Sequence, residues 1–245
     1  MNILLINPQY PVTYWSFKHV LKFISKKSLN IPLGIITVAA QLPEDWNKKL
    51  IDLNVTELND KDIAWADFVM ISAMSVQLDS VRKIIRRCKQ LNTKIIAGGP
   101  LFTEEFEQFT DVDHLVLNEA EITLSEFLKD LRVGHLKKIY QTDQFADISK
   151  TPVPDYALLD LKKSAMAGIQ YSRGGPYDCE FCDITALFGR RVRTKSPEHI
   201  IAELDTLFQL GWRGSVFLVD DNFIGHRGKL KKHLLPAMIR WMEEH

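Results

Sequence analysis

Residues 1–135 alternate short apolar runs with segments whose apolar residues recur at helical spacing, and this alternation leaves few folds open. Short apolar runs bounded by turn residues make buried strands, and the helical segments must carry the chain from one strand to the next. The pattern therefore predicts a parallel sheet covered by helices, an α/β doubly wound, Rossmann-like domain. Strands are expected at ILLIN (3–7), KKLIDLNV (48–55), FVMISAM (68–74), KIIAGGP (94–100) and HLVLNEAE (114–121). Helices are expected at LGIITVAAQL (33–42), closed by Pro43, at SVQLDSVRKIIRRCKQLN (75–92) and at TLSEFLKDL (123–131). Sheets of this kind bind ligands at the carboxyl ends of their strands. The residues there are Asn7 and Pro8, Ser72, Met74 and Ser75, Gly98, Gly99 and Pro100, and Glu119. Gly98 and Gly99 would let a ligand lie against bare backbone, although a tight turn makes the same demand.

The periodicity fades over 134–156, where TPVPDY (151–156) carries two prolines spaced as in an extended connector. We place a domain boundary there: 1–135 form the first domain, 136–165 the linker and 166–245 a second α/β unit. In that unit a strand is expected at GIQYSRG (168–174), a helix at SPEHIIAELDTLFQLG (196–211), a strand at SVFLVDDN (215–222) and a helix at KLKKHLLPAMIRWMEEH (229–245). Ser196 suits an N-cap, Pro197 the first helical position and Gly211 the C-cap. Two β-α units cannot close a barrel, so an edge stays open and the apolar faces of IIAELDTLF and AMIRWM lack partners.

Lys plus Arg and Asp plus Glu number 31 each, which removes the electrostatic argument for nucleic acid as a partner. The apolar runs fall well short of the roughly 20 residues of a membrane span. MNILLINP lacks the basic start of a leader, so a cytoplasmic location is expected. Three cysteines are too few for a disulfide framework and are expected as reduced thiols or metal ligands. Cys88 falls in a helical pattern and reads as a buried helix cysteine.

The remaining two lie in QYSRGGPYDCEFCDI (170–184), where the spacing of Cys179 and Cys182 suits one ion or one cluster iron. Zinc would need two further ligands, for which His199 and His226 are the nearest histidines. A redox pair would be expected at a helix start, which the acidic DCEFCD does not suggest.

QYSRGGPYDCEFCDITALFGRRVRTKSPEHIIAELD resembles the radical S-adenosylmethionine (SAM) enzymes, whose signature is Cys-x3-Cys-x2-Cys after the first barrel strand. Cys179 and Cys182 fall on the second and third positions, and Gly175 falls on the first. PLGIITVAAQLP, the AGGP loop, LNEAE, TPVPDY and VDDNFIG resemble the subgroup with a cobalamin-binding domain ahead of the barrel, so the resemblance covers essentially the whole chain. It implies a Rossmann-like cobalamin-binding domain followed by the first two β-α units of a radical SAM partial barrel. It also implies a 4Fe-4S cluster on three thiolates, with SAM chelated to the free iron and cleaved by an electron from a donor such as flavodoxin or ferredoxin. The resulting radical takes hydrogen from an unactivated carbon, and methyl transfer from cobalamin usually follows, because the cofactors carry chemistry that acid–base groups cannot.

Carried onto this sequence, the resemblance puts residues 72–75 under the corrin and Gly98, Gly99, Pro100 and Glu119 along its nucleotide tail. Phe181 would pack near the SAM adenine, and Asp220 and Asp221 would approach its amino group, a polar strand cap being the other reading of that pair. The basic run GRRVRTK (189–195) is expected as mostly solvated, with one arginine near the SAM carboxylate. No Asp-x-His-x-x-Gly occurs, so no histidine is expected on the lower face of cobalt. Glycine at 175 removes one thiolate, and both a truncated chain and a split one, its barrel completed by a second polypeptide, are open. The expectation is a methyltransferase-type enzyme, impaired in this chain and acting on an unknown small-molecule or lipid substrate. The alternatives are a non-catalytic cobalamin-binding module and a zinc-binding protein of the same ancestry.

Overall fold

Residues 3–6 are apolar at every position and wholly buried, which places strand β1 (Asn2–Asn7) in the middle of a sheet covered on both faces. The structure, a computed structural model, describes residues 1–177, 180 and 182–245, with the backbone alone at residue 15. From β1 the chain runs through α1 (Lys18–Phe23), β2 (Ser28–Asn30), α2 (Leu33–Ala39), β3 (Asn47–Asp52), α3 (Asp60–Trp65), β4 (Phe68–Ser72) and α4 (Leu78–Gln90). It continues through β5 (Lys94–Gly98), α5 (Pro100–Glu105), β6 (His114–Val116), α6 (Ala120–Val133) and β7 (Ile139–Tyr140). Six of these strands form a parallel sheet in the order β3-β1-β4-β5-β6-β7.

Side chains alternate across this sheet, and the helices divide accordingly. Ile3, Leu5, Phe68 and Met70 face α2 and α6, while Leu4, Ile6, Val69 and Ile71 face α3, α4 and α5. The connections leaving β1 and β4 therefore lie on opposite faces of the sheet. That reversal opens a crevice at the carboxyl ends of the two strands. Cys88 lies at the bottom of α4, fully buried, and burial pushes its thiol up to about 12.

The second half contributes β8 (Ser164–Ile169), β9 (Ser172–Arg173), α7 (Ile184–Phe188), β10 (Arg193–Thr194), α8 (Pro197–Gln209) and β11 (Ser215–Leu218). It ends with a helical turn, α9 (Arg227–Lys229), a π-helical turn over Leu230–Leu234 and α10 (Leu235–Glu244). The π turn hands the chain on to Pro236, whose ring carries no N–H for a regular ladder. Ser196 caps α8 by accepting from His199 N at 3.2 Å, and Gly211 turns the chain out with φ +84°.

Three features differ from expectation: two correct it, and β2 is a strand that the sequence did not show. The strand expected at 168–174 starts at Ser164 and ends at Ile169; Ser172 and Arg173 then pair antiparallel with β10, framing the cysteine loop. Second, β2 belongs to the other sheet, in the parallel order β11-β8-β2, so a strand from the first 30 residues packs with the second half. Third, the apolar face of α8 is covered, because Ile200, Leu204 and Leu207 join one continuous core with Ile35, Leu124 and Ile169. Val216 and Phe217 on β11 and Ile239 and Met242 on α10 do remain exposed. Among the described residues no helix is long and apolar enough to cross a membrane.

Candidate functional site

A cavity of about 370 Å³ opens at the carboxyl ends of β1, β4, β5 and β6. Of the residues singled out in the sequence, Asn7, Ser72, Met74, Gly98, Gly99, Pro100 and Glu119 line it. Pro8 and Ser75 lie outside the lining: the Pro8 carbonyl accepts from the Gln77 amide, and Ser75 Oγ donates to Glu104 at 3.2 Å.

The two glycines after β5 are dictated by the backbone around them. A Cβ on Gly98 would stand 2.4 Å from the Val116 carbonyl oxygen, and Gly99, at φ +92°, would bring one within 3.0 Å of the Ala73 carbonyl and Ser72 Oγ. Gly34 is different. It sits in the first turn of α2, and a Cβ there would meet nothing within 4 Å. Since Gly34 lines the cavity, the bare helix backbone leaves room there for a bound group. Sequence reading missed this position because an isolated glycine in a helical pattern has no local signature.

The floor of the crevice is tied down by buried amides. Asn7 Nδ2 donates to Asp52 Oδ1 at 2.9 Å, and Gln77, 1% exposed, joins the Pro8 carbonyl to the Met74 amide. Burial raises the Asp52 carboxyl despite the bonds from Asn54 and Asn7. Asn7 therefore shapes the site through its side-chain bonds.

The opposite wall comes from the second half: Gln170, Arg173, Leu187, Phe188 and Val219. Here the basic run departs from expectation. Arg193 is half-buried against Glu119, with Nη1 at 2.7 Å from Oε2, and it also donates to the carbonyls of Ala146 and Phe188 at 2.6 and 2.8 Å. Lys195, 4% exposed, pairs with the wholly buried Glu203. Arg173 donates to Glu121 at 2.9 Å and lies 3.7 Å from Glu119. Burial pushes the Glu121 carboxyl up, but the Arg173 charge and hydrogen bond outweigh it and leave the pKa below the ordinary value. The carboxylates at the start of α6 thus clamp both strands of the cysteine-loop hairpin. The sequence alone could not show partners 74 positions apart.

Asp220 and Asp221 follow β11 and lie outside the cavity lining. Asp220 Oδ1 accepts from the Ser172 N–H and hydroxyl, and Asp221 Oδ2 accepts from Gly174 N at 2.8 Å. Burial raises both carboxyl pKa values. Asp220 Oδ2 is buried and has no hydrogen-bond partner among the described residues.

In the loop itself Cys182 is half-buried and free, while Cys179 and Phe181 lie outside the described residues. Neighbouring Gly174 must be glycine: at φ +85° its Cβ would stand 2.7 Å from the Arg191 carbonyl. Gly175 has no positive φ, and a Cβ there would make an ordinary 3.7 Å contact with Ile184 Cγ2. Its backbone thus accepts a side chain but the residue offers no ligand atom. The zinc candidates are placed elsewhere, with His199 Nε2 3.6 Å from Glu203 and His226 Nε2 3.0 Å from the Val192 carbonyl. Among the described residues no group of three His, Cys, Asp or Glu side chains could hold a metal.

Residues 24–128 match the family described as B12 binding domain. Over 247 residues the chain is 43% identical to an uncharacterized methyltransferase of Synechocystis, covering 100% of this chain and 46% of that protein. It is 34% identical to the hopanoid C-2 methylase of Rhodopseudomonas palustris, covering 99% and 47%. Its residues 24–128 thus match a B12 binding domain, and its full length is similar to these two methyl-transferring relatives. The chain has the same fold as part of the radical SAM methyltransferase TsrM from Kitasatospora setae, with a TM-score of 0.70 at 14% identity over 100% of this chain and 52% of that one. The chain spans about half the length of the curated relatives it matches.

Proposed function

We propose that this chain binds cobalamin in the cavity at the β1–β4 crevice and forms the front half of a methyltransferase-type radical SAM system acting on an unactivated carbon. The carrying observation is the cavity itself, left open on one side by the bare helix backbone at Gly34 and set where a doubly wound sheet binds its ligand. Bound cobalamin would supply a methyl group carried on cobalt. Ser72 and Met74 would lie beneath the corrin, and Gly98 to Pro100 along its tail. No histidine is among the described lining residues, so the visible spectrum of bound corrin should lack protein nitrogen coordination.

The cluster is a different matter. Three thiolates are needed, and Gly175 offers none, so the residues present do not fit a fully ligated cluster and no step is derived through one. For SAM the fit is partial: the unpartnered Asp220 Oδ2 is an acceptor suited to an ammonium group. An electron donor such as flavodoxin or ferredoxin and a cytoplasmic setting complete this reading. Gly175 also favours a second reading, a corrin-binding module without radical chemistry.

Equilibrium dialysis of the purified chain against hydroxocobalamin, with the visible spectrum of the bound corrin, tests the proposal. Gly34→Leu should fill the cavity and cost at least tenfold in affinity, about 1.4 kcal/mol, with the fold intact. Failure of the parent chain to take up corrin would sink it. Iron and sulfide counts after anaerobic reconstitution separate the two readings, a SAM-responsive cluster favouring the first.

A further inference from the structure

The first 43 residues contain Lys18, Lys22, Lys26 and Lys27 and not one Asp or Glu, in a chain whose total charge is zero. This segment also carries the densest group of exposed apolar side chains. Phe23 is 90% exposed and Tyr14 82%, with Val12, Val20 and Ile24 between 55% and 58%. Helix α1 is anchored from beneath by Leu21, 3% exposed, so Val20, Phe23 and Ile24 are turned away from the core. Lys18 and Lys22 are exposed on the same helix with no carboxylate within ion-pair distance among the described residues. Lys26 and Lys27 donate to the carbonyls of Lys162 and Val55 at the helix exit.

Apolar side chains standing in water beside unpaired ammonium groups are poorly placed against a protein surface of mixed charge. They suit a boundary between acyl chains and anionic headgroups, where the rings enter the apolar layer and the lysines meet phosphate. The patch also adjoins the site. Tyr10, just upstream, lines the cavity and donates through its hydroxyl to Met74 Sδ at 3.8 Å, and Met74 and Val76 are 50% and 61% exposed.

We infer that residues 12–27 are a docking surface for an anionic lipid bilayer, seating the cavity mouth at the headgroup level. Membrane binding through this patch is independent of what the cavity holds. It would present an apolar substrate drawn from the bilayer to a corrin, if the reading above holds.

The test is flotation of the full chain with phosphatidylcholine vesicles, with and without phosphatidylglycerol, at low and high salt. Binding is expected only to the anionic vesicles and should weaken as salt rises. Lys18→Gln and Lys22→Gln should each lower partitioning about fivefold. Phe23→Ser with Ile24→Ser should lower it more than about tenfold, while far-UV circular dichroism and hydroxocobalamin uptake stay those of the parent. These side chains are exposed, so the variants should fold. No flotation with anionic vesicles, or flotation unchanged in the Phe23/Ile24 variant, overturns the inference. So does self-association that the same variant abolishes, which would assign the patch to a second copy. Corrin uptake in the same preparations reports on the cavity separately, so the two readings can fail independently.

Discussion

Gly174 and Gly175 are adjacent, and the structure gives them opposite meanings. Gly174 is held at φ +85° among three carbonyl oxygens, the nearest 2.7 Å from where a Cβ would sit. Gly174→Ala should cost about 3 kcal/mol or more, combining left-handed strain with a clash against backbone, and urea unfolding would measure it. Gly175 has neither constraint, so Gly175→Cys should leave the urea midpoint nearly unchanged. It should also raise the iron bound after anaerobic reconstitution and give a reduced-cluster spin signal that responds to SAM. Gly175→Ala should match its stability without its iron. If Gly175→Cys binds no more iron than the parent, or the parent already carries a full SAM-responsive cluster, another residue supplies the third ligand.

Among elements, the decisive contact joins the start of α6 to the β9–β10 hairpin. Glu119 is 2% exposed, and Arg193→Ala would leave it buried with only the more distant Arg173 guanidinium, at a cost of about 3 kcal/mol. Arg193→Lys should recover only part of that loss, because an ammonium cannot reproduce the fork that spans both oxygens. The Glu121–Arg173 pair should appear in the acid limb of stability. The folded pKa of Glu121 lies below its ordinary 4.5, so its contribution is present above that value and is lost as pH falls through the folded one. Asp220, Asp221 and Glu203, raised mainly by burial, act in the opposite sense: each favours the folded state less as pH rises through its folded value. Urea midpoints between about pH 3 and 6 should therefore show a steeper acid loss in the parent than in Glu121→Gln. Five of the six strands of the first sheet, all but β7, and the helices α2, α4, α6 and α8 were legible because a buried strand or an amphipathic face repeats over several residues. The elements β2, β7, β9 and β10 span two or three residues each and exist through their partners, which no local pattern encodes. For the same reason Gly98 and Gly99 could be picked out, while the ion pairs of Arg193 and Lys195 could not.

At the scale of the whole molecule, the two sheets share one core and one cavity. β2 leaves the N-terminal segment to pair with β8 through Ser28–Ser164 and Asn30–Met166, and α2 packs between the six-stranded sheet and the second half. The linker at 136–165 therefore joins parts that lean on each other. It carries Tyr156, 1% exposed, whose hydroxyl donates to the Gly168 carbonyl at 3.0 Å and stands 3.4 Å from Glu203. A fragment of residues 1–150 keeps the six-stranded sheet and every strand-end loop of the crevice. It loses the partner of β2 and the wall formed by Gln170, Arg173, Leu187, Phe188 and Val219. It also leaves Glu119 and Glu121 without either arginine. Such a fragment should retain the far-UV signature of an α/β sheet yet bind hydroxocobalamin at least tenfold more weakly than the full chain, about 1.4 kcal/mol or more. Equilibrium dialysis of the two side by side decides it. Equal affinity would mean that the strand-end loops hold the corrin alone and that the second half shapes the cavity without contributing to binding.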